Sequence, residues 1–146
     1  MRSRSFARNA ACLAVAAVLS SCGGSDLLQI SQSWSQQSLE GKALPDTMPN
    51  STPVIVITSG DAEINNNGTY SFVLNGTSDG VAGVVGQDAG TWTISSSLFF
   101  FKTSSGSPDI PSYFGVLTGN TFRVSMPGVI VHSSNVTVDM GFAASP

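Results

Sequence analysis

The sequence predicts a small all-β protein, an antiparallel up-and-down barrel of about eight strands that follows an N-terminal signal segment. Runs of alternating apolar and polar residues recur along the chain, and this period is typical of half-buried strands. Turn sequences such as Asn67-Gly68 separate the runs. No window long enough for a helix keeps a three-to-four-residue apolar period. Closing so many strands into a barrel removes the unpaired edges of an antiparallel sheet, so a barrel is favoured over a sandwich.

The first half of the chain supplies the clearest hairpin. Strands are expected at residues 33–39 and 54–58, on either side of a segment that contains three prolines. Residues 61–64 then turn through an Asn-Gly pair into residues 69–74, and this is the strongest short-range hairpin signal. Because successive side chains of a strand point to opposite faces, every second side chain of this hairpin is expected to face the core: Ala62, Ile64, Tyr70, Phe72 and Leu74.

The second half is expected to continue the meander. Glycine-rich residues 77–87 predict a flexible loop, with a weakened extension of two strands as the alternative. A hairpin is then expected through a three-residue turn, Ser95-Ser96-Ser97, with two aligned pairs of side chains. The aligned residues are Trp92 and Ile94 on one strand and Leu98 and Phe100 on the other.

Two more features complete the expected barrel. A third hairpin joins residues 113–117 to residues 121–126 through Thr118-Gly119-Asn120, which has good turn chemistry. Residues 135–142 alternate cleanly and are expected to form the closing strand, with Val136 and the apolar residues after it on the core face.

The first 22 residues have the features of an export signal. Three arginines precede an apolar stretch at residues 10–19 that is about ten residues long, whereas a transmembrane helix needs about 20. The sequence Leu19-Ser20-Ser21-Cys22 resembles the lipobox of bacterial lipoproteins, in which the cysteine is acylated by chains such as palmitate. The alternative is an ordinary secretory signal cleaved near Ser21. The resulting division is a signal peptide at 1–21, a lipidated cysteine and tether at 22–33 and a barrel domain at 34–146.

The residues around Cys22 also predict where in the cell the protein is located. Cys12 would leave with the signal, so Cys22 would have no partner for an intrachain disulfide. Two or more acyl chains hold a protein stably at a membrane. Gly23 follows the cysteine. In the lipoproteins that this segment resembles, an Asp at that position retains the protein at the inner membrane. The resemblance therefore implies the outer membrane, facing either the periplasm or the exterior.

Charge excludes one class of partner. After residue 22 the chain has three basic and nine acidic residues, a net charge of −6. A negative chain without a basic stripe does not suit the phosphate backbone, so nucleic acid is not an expected partner.

Short motifs along the mature chain carry a second resemblance. They occur in this order: Trp34, Glu40-Gly41-Lys42-Ala43-Leu44-Pro45, Thr58-Ser59-Gly60, Asn67-Gly68-Thr69-Tyr70, Gly90-Thr91-Trp92 and Leu117-Thr118-Gly119-Asn120-Thr121. This order and spacing are similar to a bacterial family of small lipocalin-like domains, commonly found on lipoproteins. The run Phe99-Phe100-Phe101 and the connection 127–135 depart from the pattern. The resemblance implies a lipocalin-like barrel and apolar ligand binding, and it brings no catalytic residues.

The sequence offers little catalytic chemistry. His132 is the single histidine, and neither a nucleophile elbow nor enough metal ligands accompany it. Asp61 and Glu63 share a strand face, which is more typical of a solvated face than of an acid and base pair. Neither catalytic residues, nor a metal site, nor a cofactor is expected.

The aromatic residues support two hypotheses about function. The expected interior of the barrel holds seven of them: Trp34, Tyr70, Phe72, Trp92, Phe100, Tyr113 and Phe122. An eight-stranded barrel is either filled by side chains or able to hold one small ligand. In the first hypothesis these residues bind a small apolar ligand. In the second the core is packed, and an exposed face around Phe99, Phe101 and Phe114 contacts another envelope protein or the membrane surface.

Overall fold

The computed structural model describes residues 32–104 and 112–146, which form a closed antiparallel barrel of eight strands with two further short strands. The predicted signal peptide, Cys22 and residues 22–31 of the predicted tether lie outside the described residues. The strands are β1 (Gln32–Leu39), β2 (Lys42–Ala43), β3 (Asp46–Thr47), β4 (Ile55–Ile64), β5 (Thr69–Ser78), β6 (Val81–Ser95), β7 (Leu98–Thr103), β8 (Tyr113–Thr118), β9 (Thr121–Pro127) and β10 (Thr137–Ala144). Strand β1 pairs with both β10 and β4, and this closes the barrel. The predicted fold class is confirmed.

The two ends of the barrel differ in their connections. Because every pairing is antiparallel, the start of β1 and the end of β10 lie at the same end as the turns at 65–68, 96–97 and 119–120. We call this the N-terminal end. The longer connections that follow β1 and β9 lie at the opposite end, with the turn at 79–80, and β7 ends and β8 begins there. The chain therefore enters the barrel at the end formed by short turns.

The predicted Asn-Gly hairpin is confirmed, with its faces. Ile64 pairs with Tyr70 and Ala62 pairs with Phe72. All five side chains predicted to face the core are buried. The predicted strand 54–58 is the first part of β4, which continues to Ile64 through an irregularity between Ile57 and Ser59.

The glycine-rich residues 77–87 form strand, so the predicted loop was wrong and the alternative was right. Strands β5 and β6 pair through Ser78 and Val81, and only Asp79 and Gly80 form the turn. Both turn residues have positive φ, 47° and 83°. Two-residue hairpins of this kind match the twist of the strands, and Asp-Gly is among their preferred sequences.

The turn between β6 and β7 is one residue shorter than predicted. Ser95 pairs with Leu98, so the turn consists of residues 96–97 alone. A shift of one residue moves every side chain of a strand to the other face. Phe99 and Phe101, which were expected outside, are therefore buried in the core.

The interior is closed at the opposite end by the segment after β9. A 3₁₀ helix, Gly128–Val131, buries Ile130 and Val131 in the core, where Met48 is also buried. The closing strand β10 buries Val138, Met140 and Phe142 in turn. Val136 precedes the strand and is 90% exposed, so the prediction that it faces the core was wrong.

Candidate functional site

The structure brings together most of the residues predicted to line a ligand site. Five of the seven are buried in the interior: Trp34, Tyr70, Phe72, Tyr113 and Phe122. Trp92 is half-buried against the core, and its indole N–H donates to the carbonyl oxygen of Asn65 at 3.0 Å. Phe100 was placed wrongly, because the shorter turn before β7 directs it outward, where it is 43% exposed.

These buried rings pack against one another across the barrel. Tyr70 and Phe101 have ring centroids 4.8 Å apart, and Phe101 lies 5.5 Å from Phe72 and 5.9 Å from Phe122. The ring centroids of Trp34 and Phe122 are 5.7 Å apart. Such edge and tilted arrangements are the preferred packing of aromatic rings. Aromatic side chains therefore fill the space that the ligand hypothesis assigns to a bound molecule.

A buried carboxylate lies among these rings, and sequence reasoning missed it. Asp88 is only 5% exposed and accepts hydrogen bonds from the hydroxyls of Tyr70, Tyr113 and Thr103, each at 2.6 Å. We call these four residues the Asp88 network. Each of β5, β6, β7 and β8 contributes one of them. The signal was available, because Asp88 lies four residues before Trp92 and so shares its inward face, but residues 77–87 were expected to be a loop.

The hydroxyl protons of the network are held tightly. Burial, and then the hydrogen bond to Asp88, raise the pKa of Tyr70 above its ordinary value of 10.0. Burial and the bond to Asp88 raise the pKa of Tyr113 in the same direction. All three partners donate, which suits an ionised carboxylate that can only accept. The network ties four strands together and holds its protons, and neither property favours acid and base chemistry.

The other polar candidates lie elsewhere. His132 is exposed at the end of the 3₁₀ helix, with a positive φ of 55°. Asp61 and Glu63 are exposed on the outer face of β4, as expected of a solvated strand. No group of three or more metal-ligating side chains occurs within residues 32–104 and 112–146.

Two interior polar atoms of β1 lack a hydrogen-bond partner. They are Nε1 of Trp34 and Oε1 of Gln36, and both are buried. An unsatisfied buried donor or acceptor destabilises the folded chain. Among the side chains that the structure describes, these two buried atoms have remaining capacity to bind a polar atom.

The outer surface of β7 and β8 has an apolar face. It consists of two directly paired couples, Leu98 with Val116 and Phe100 with Phe114. Phe114 is 48% exposed, similar to Phe100, and Leu98 is half-buried. We call these four residues the β7–β8 face. Adjacent exposed aromatic and aliphatic side chains of this kind are typical of contact surfaces.

Charge is distributed unevenly around the barrel. Lys102 follows Phe100 on the outer side of β7, and Arg123 pairs with Val116. The outward positions of β6, β7, β8 and β9 in the described part of the chain carry these two cations and no carboxylate. Of the exposed acids, Asp61 and Glu63 lie on β4, Asp139 lies on β10, and Glu40 and Asp79 lie in connections between strands. The apolar face is therefore also the basic side of an acidic protein.

Comparison of the chain with models of known protein families, with curated proteins and with solved structures finds no match. Among the residues that the structure describes, no helix has the length and apolar character needed to cross a membrane. The site must therefore be interpreted from its own geometry.

Proposed function

We propose that this chain is a bacterial envelope lipoprotein, anchored through acyl chains on Cys22, whose lipocalin-like barrel contacts another envelope component through the β7–β8 face. The observation that carries the proposal is the paired exposure of Phe100 and Phe114 on a barrel whose interior is filled. The predicted face around Phe99 and Phe101 is replaced by this one, because both of those rings lie in the core.

The filled interior favours an outer site. A molecule bound inside would have to displace packed aromatic rings whose centroids are 4.8–5.9 Å apart. A protein core is packed to the density of an organic crystal, so such displacement has a large free-energy cost. Exposed aromatic residues have no such cost to overcome, and aromatic residues are enriched at binding surfaces.

The anchor is tested by labelling with radioactive palmitate in a Gram-negative host. The wild-type chain is expected to carry label and to sediment with the outer membrane, as the lipobox and Gly23 predict. The Cys22→Ser variant is expected to lose the label and to leave the membrane fraction, since a single thiol is the proposed acylation site. Label retained on Cys22→Ser, or an unlabelled wild-type chain, would contradict the proposal.

The outer face is tested with a pair of matched variants. The double variant Phe100→Ser, Phe114→Ser is expected to keep the thermal unfolding midpoint of the wild type and to lose envelope contacts, measured by chemical cross-linking in cells. The control, Val81→Ser, Val84→Ser, removes exposed apolar side chains from β6 and should keep those contacts. Equal cross-linking by both double variants would rule out the β7–β8 face.

A second candidate function is the binding of a small apolar ligand inside the barrel. The observation in its favour is the pair of buried unpartnered atoms, Trp34 Nε1 and Gln36 Oε1. A ligand with one polar group could satisfy both atoms if neighbouring rings moved. Trp34→Phe would remove the donor and is expected to weaken retention of such a ligand, measured by extraction of the purified protein with organic solvent.

A further inference from the structure

We propose that the component contacted by the β7–β8 face is the surface of the anchoring membrane itself, with Phe100 and Phe114 inserted among the lipids and Lys102 and Arg123 against anionic headgroups. This inference rests on the proposed lipid anchor and adds to it an orientation for the barrel. In this orientation the β7–β8 side of the barrel rests against the membrane, and the barrel does not move freely at the end of its tether.

The charge distribution of the barrel favours this orientation. The mature chain has a net charge of −6, and an average face would be repelled by an anionic membrane. The β7–β8 face is different, because Lys102 and Arg123 flank it and the outward positions of β6–β9 hold no carboxylate in the described residues. The acids of β4 lie three strands from β7 and would point away from the membrane, whereas Asp139 of β10 lies beside β9 and accepts a hydrogen bond from its Ser125.

The side chains on the β7–β8 face also suit a membrane surface. Interfacial binding depends on buried apolar area together with attraction between basic residues and anionic lipids. Phe100 and Phe114 are directly paired, so their side chains lie on the same outer face of the sheet, and Leu98 and Val116 continue this face towards the N-terminal end. Lys and Arg side chains can place their charges at the headgroups while their stems cover apolar surface.

The length of the chain before β1 is sufficient for this orientation. Ten residue steps separate Cys22 from Gln32, where the barrel begins. An extended chain covers about 3.5 Å per residue, so the anchor can lie up to about 35 Å from Gln32. This reach is close to the diameter of a small domain, about 30 Å. Strand β7 is four strands from β1 in either direction around the barrel, and the tether still allows its face to reach the membrane.

The test uses the full lipidated chain in a Gram-negative envelope, with a photoreactive benzoylphenylalanine in place of Phe114. The control carries the same group in place of Thr58, which is exposed on β4. After irradiation, mass spectrometry of the purified chain is expected to find phospholipid joined at position 114 and none at position 58. Another protein or a second copy of this chain joined at position 114, or an unmodified position 114, would overturn the inference.

The anchor is measured in the same samples, so the two proposals fail separately. A chain without palmitate would contradict the proposed lipoprotein. A palmitoylated chain whose position 114 captures no lipid would contradict only the docked orientation.

The two cations provide a second readout. Each Lys or Arg beside an anionic membrane contributes about fivefold to binding, so Lys102→Gln with Arg123→Gln is expected to lower the docked population about 25-fold relative to the undocked one. The readout is the yield of lipid adduct at position 114 in vesicles of phosphatidylethanolamine and phosphatidylglycerol. An unchanged yield would overturn the role given to the cations. Lys42→Gln, on the short strand β2, is the matched charge control and should leave the yield unchanged.

Discussion

The hydroxyl of Tyr113 is the donor through which β8 joins the Asp88 network, and its removal tests whether the buried carboxylate holds the strands together. Tyr113→Phe keeps the ring and deletes only the group that donates to Asp88 at 2.6 Å. Asp88→Asn keeps the shape of the acceptor and removes its charge. In that variant the amide oxygen can accept from both tyrosines, and the amide nitrogen can donate to the hydroxyl of Thr103.

The charge of the acceptor determines the expected magnitude. Hydrogen bonds to charged groups contribute about 1.5–3 kcal/mol and neutral ones about 0.5–1.5 kcal/mol. The distance of 2.6 Å is typical of a hydroxyl bound to a carboxylate. Tyr113→Phe is therefore expected to lower the free energy of unfolding by about 2 kcal/mol in the wild type and by about 1 kcal/mol in the Asp88→Asn background, where the acceptor is a neutral amide.

The assay is urea unfolding of the four chains of this double-mutant cycle, followed by tryptophan fluorescence. The slope of the free energy against urea should stay constant, since all four chains bury the same surface. A coupling free energy of about 1 kcal/mol supports the network. If Tyr113→Phe had the same effect in both backgrounds, the charge on Asp88 would have no part in holding β8, and the reasoning would be refuted.

Three further predictions concern pH, register and close approach. The chain has two tyrosines, both with raised pKa values in the folded state, so the stability that they contribute is complete below pH 10.0 and is lost as the pH rises above it. Phenolate absorbance should therefore appear only on unfolding, and its appearance near pH 10.0 in the folded chain would contradict the network. Phe101→Ala should destabilise the fold by about 3–5 kcal/mol in thermal or urea unfolding, whereas exposed Phe100→Ala should change it by about 0.5 kcal/mol. Gly90→Ala would drive a Cβ into the carbonyl oxygen of Lys102 and should lower the urea midpoint, while Gly83→Ala meets nothing within 4 Å and should not.

Much of the barrel could be predicted because turn chemistry and alternation agree there. The hairpin around Asn67-Gly68 has both signals, and its pairing of Ala62 with Phe72 follows from them. The run Phe99-Phe100-Phe101 has no alternation, so the hydrophobic pattern cannot decide which rings face inward. Only the length of the preceding turn decides it, and three consecutive serines leave that length open.

The Asp88 network could not be predicted for a different reason. Its four members are spread over four strands, and a hydrogen bond between them depends on register across the whole sheet. The glycines before Asp88 favoured a loop, which removed that residue from the expected interior. Of the predicted outer face, Phe114 is exposed as expected, but the register of β7 places Phe100 beside it where Phe99 and Phe101 were expected.

The central claim is that this chain is an acylated barrel that works through its outer surface. The most direct test is native mass spectrometry of the full mature chain extracted from the envelope, followed by release of any bound molecule on denaturation. We expect a polypeptide that begins at Cys22, carries covalent acyl chains and releases nothing else. An unacylated chain would contradict the proposed anchor. A stoichiometric apolar molecule released on unfolding would contradict the outer site and identify the interior as the site of function.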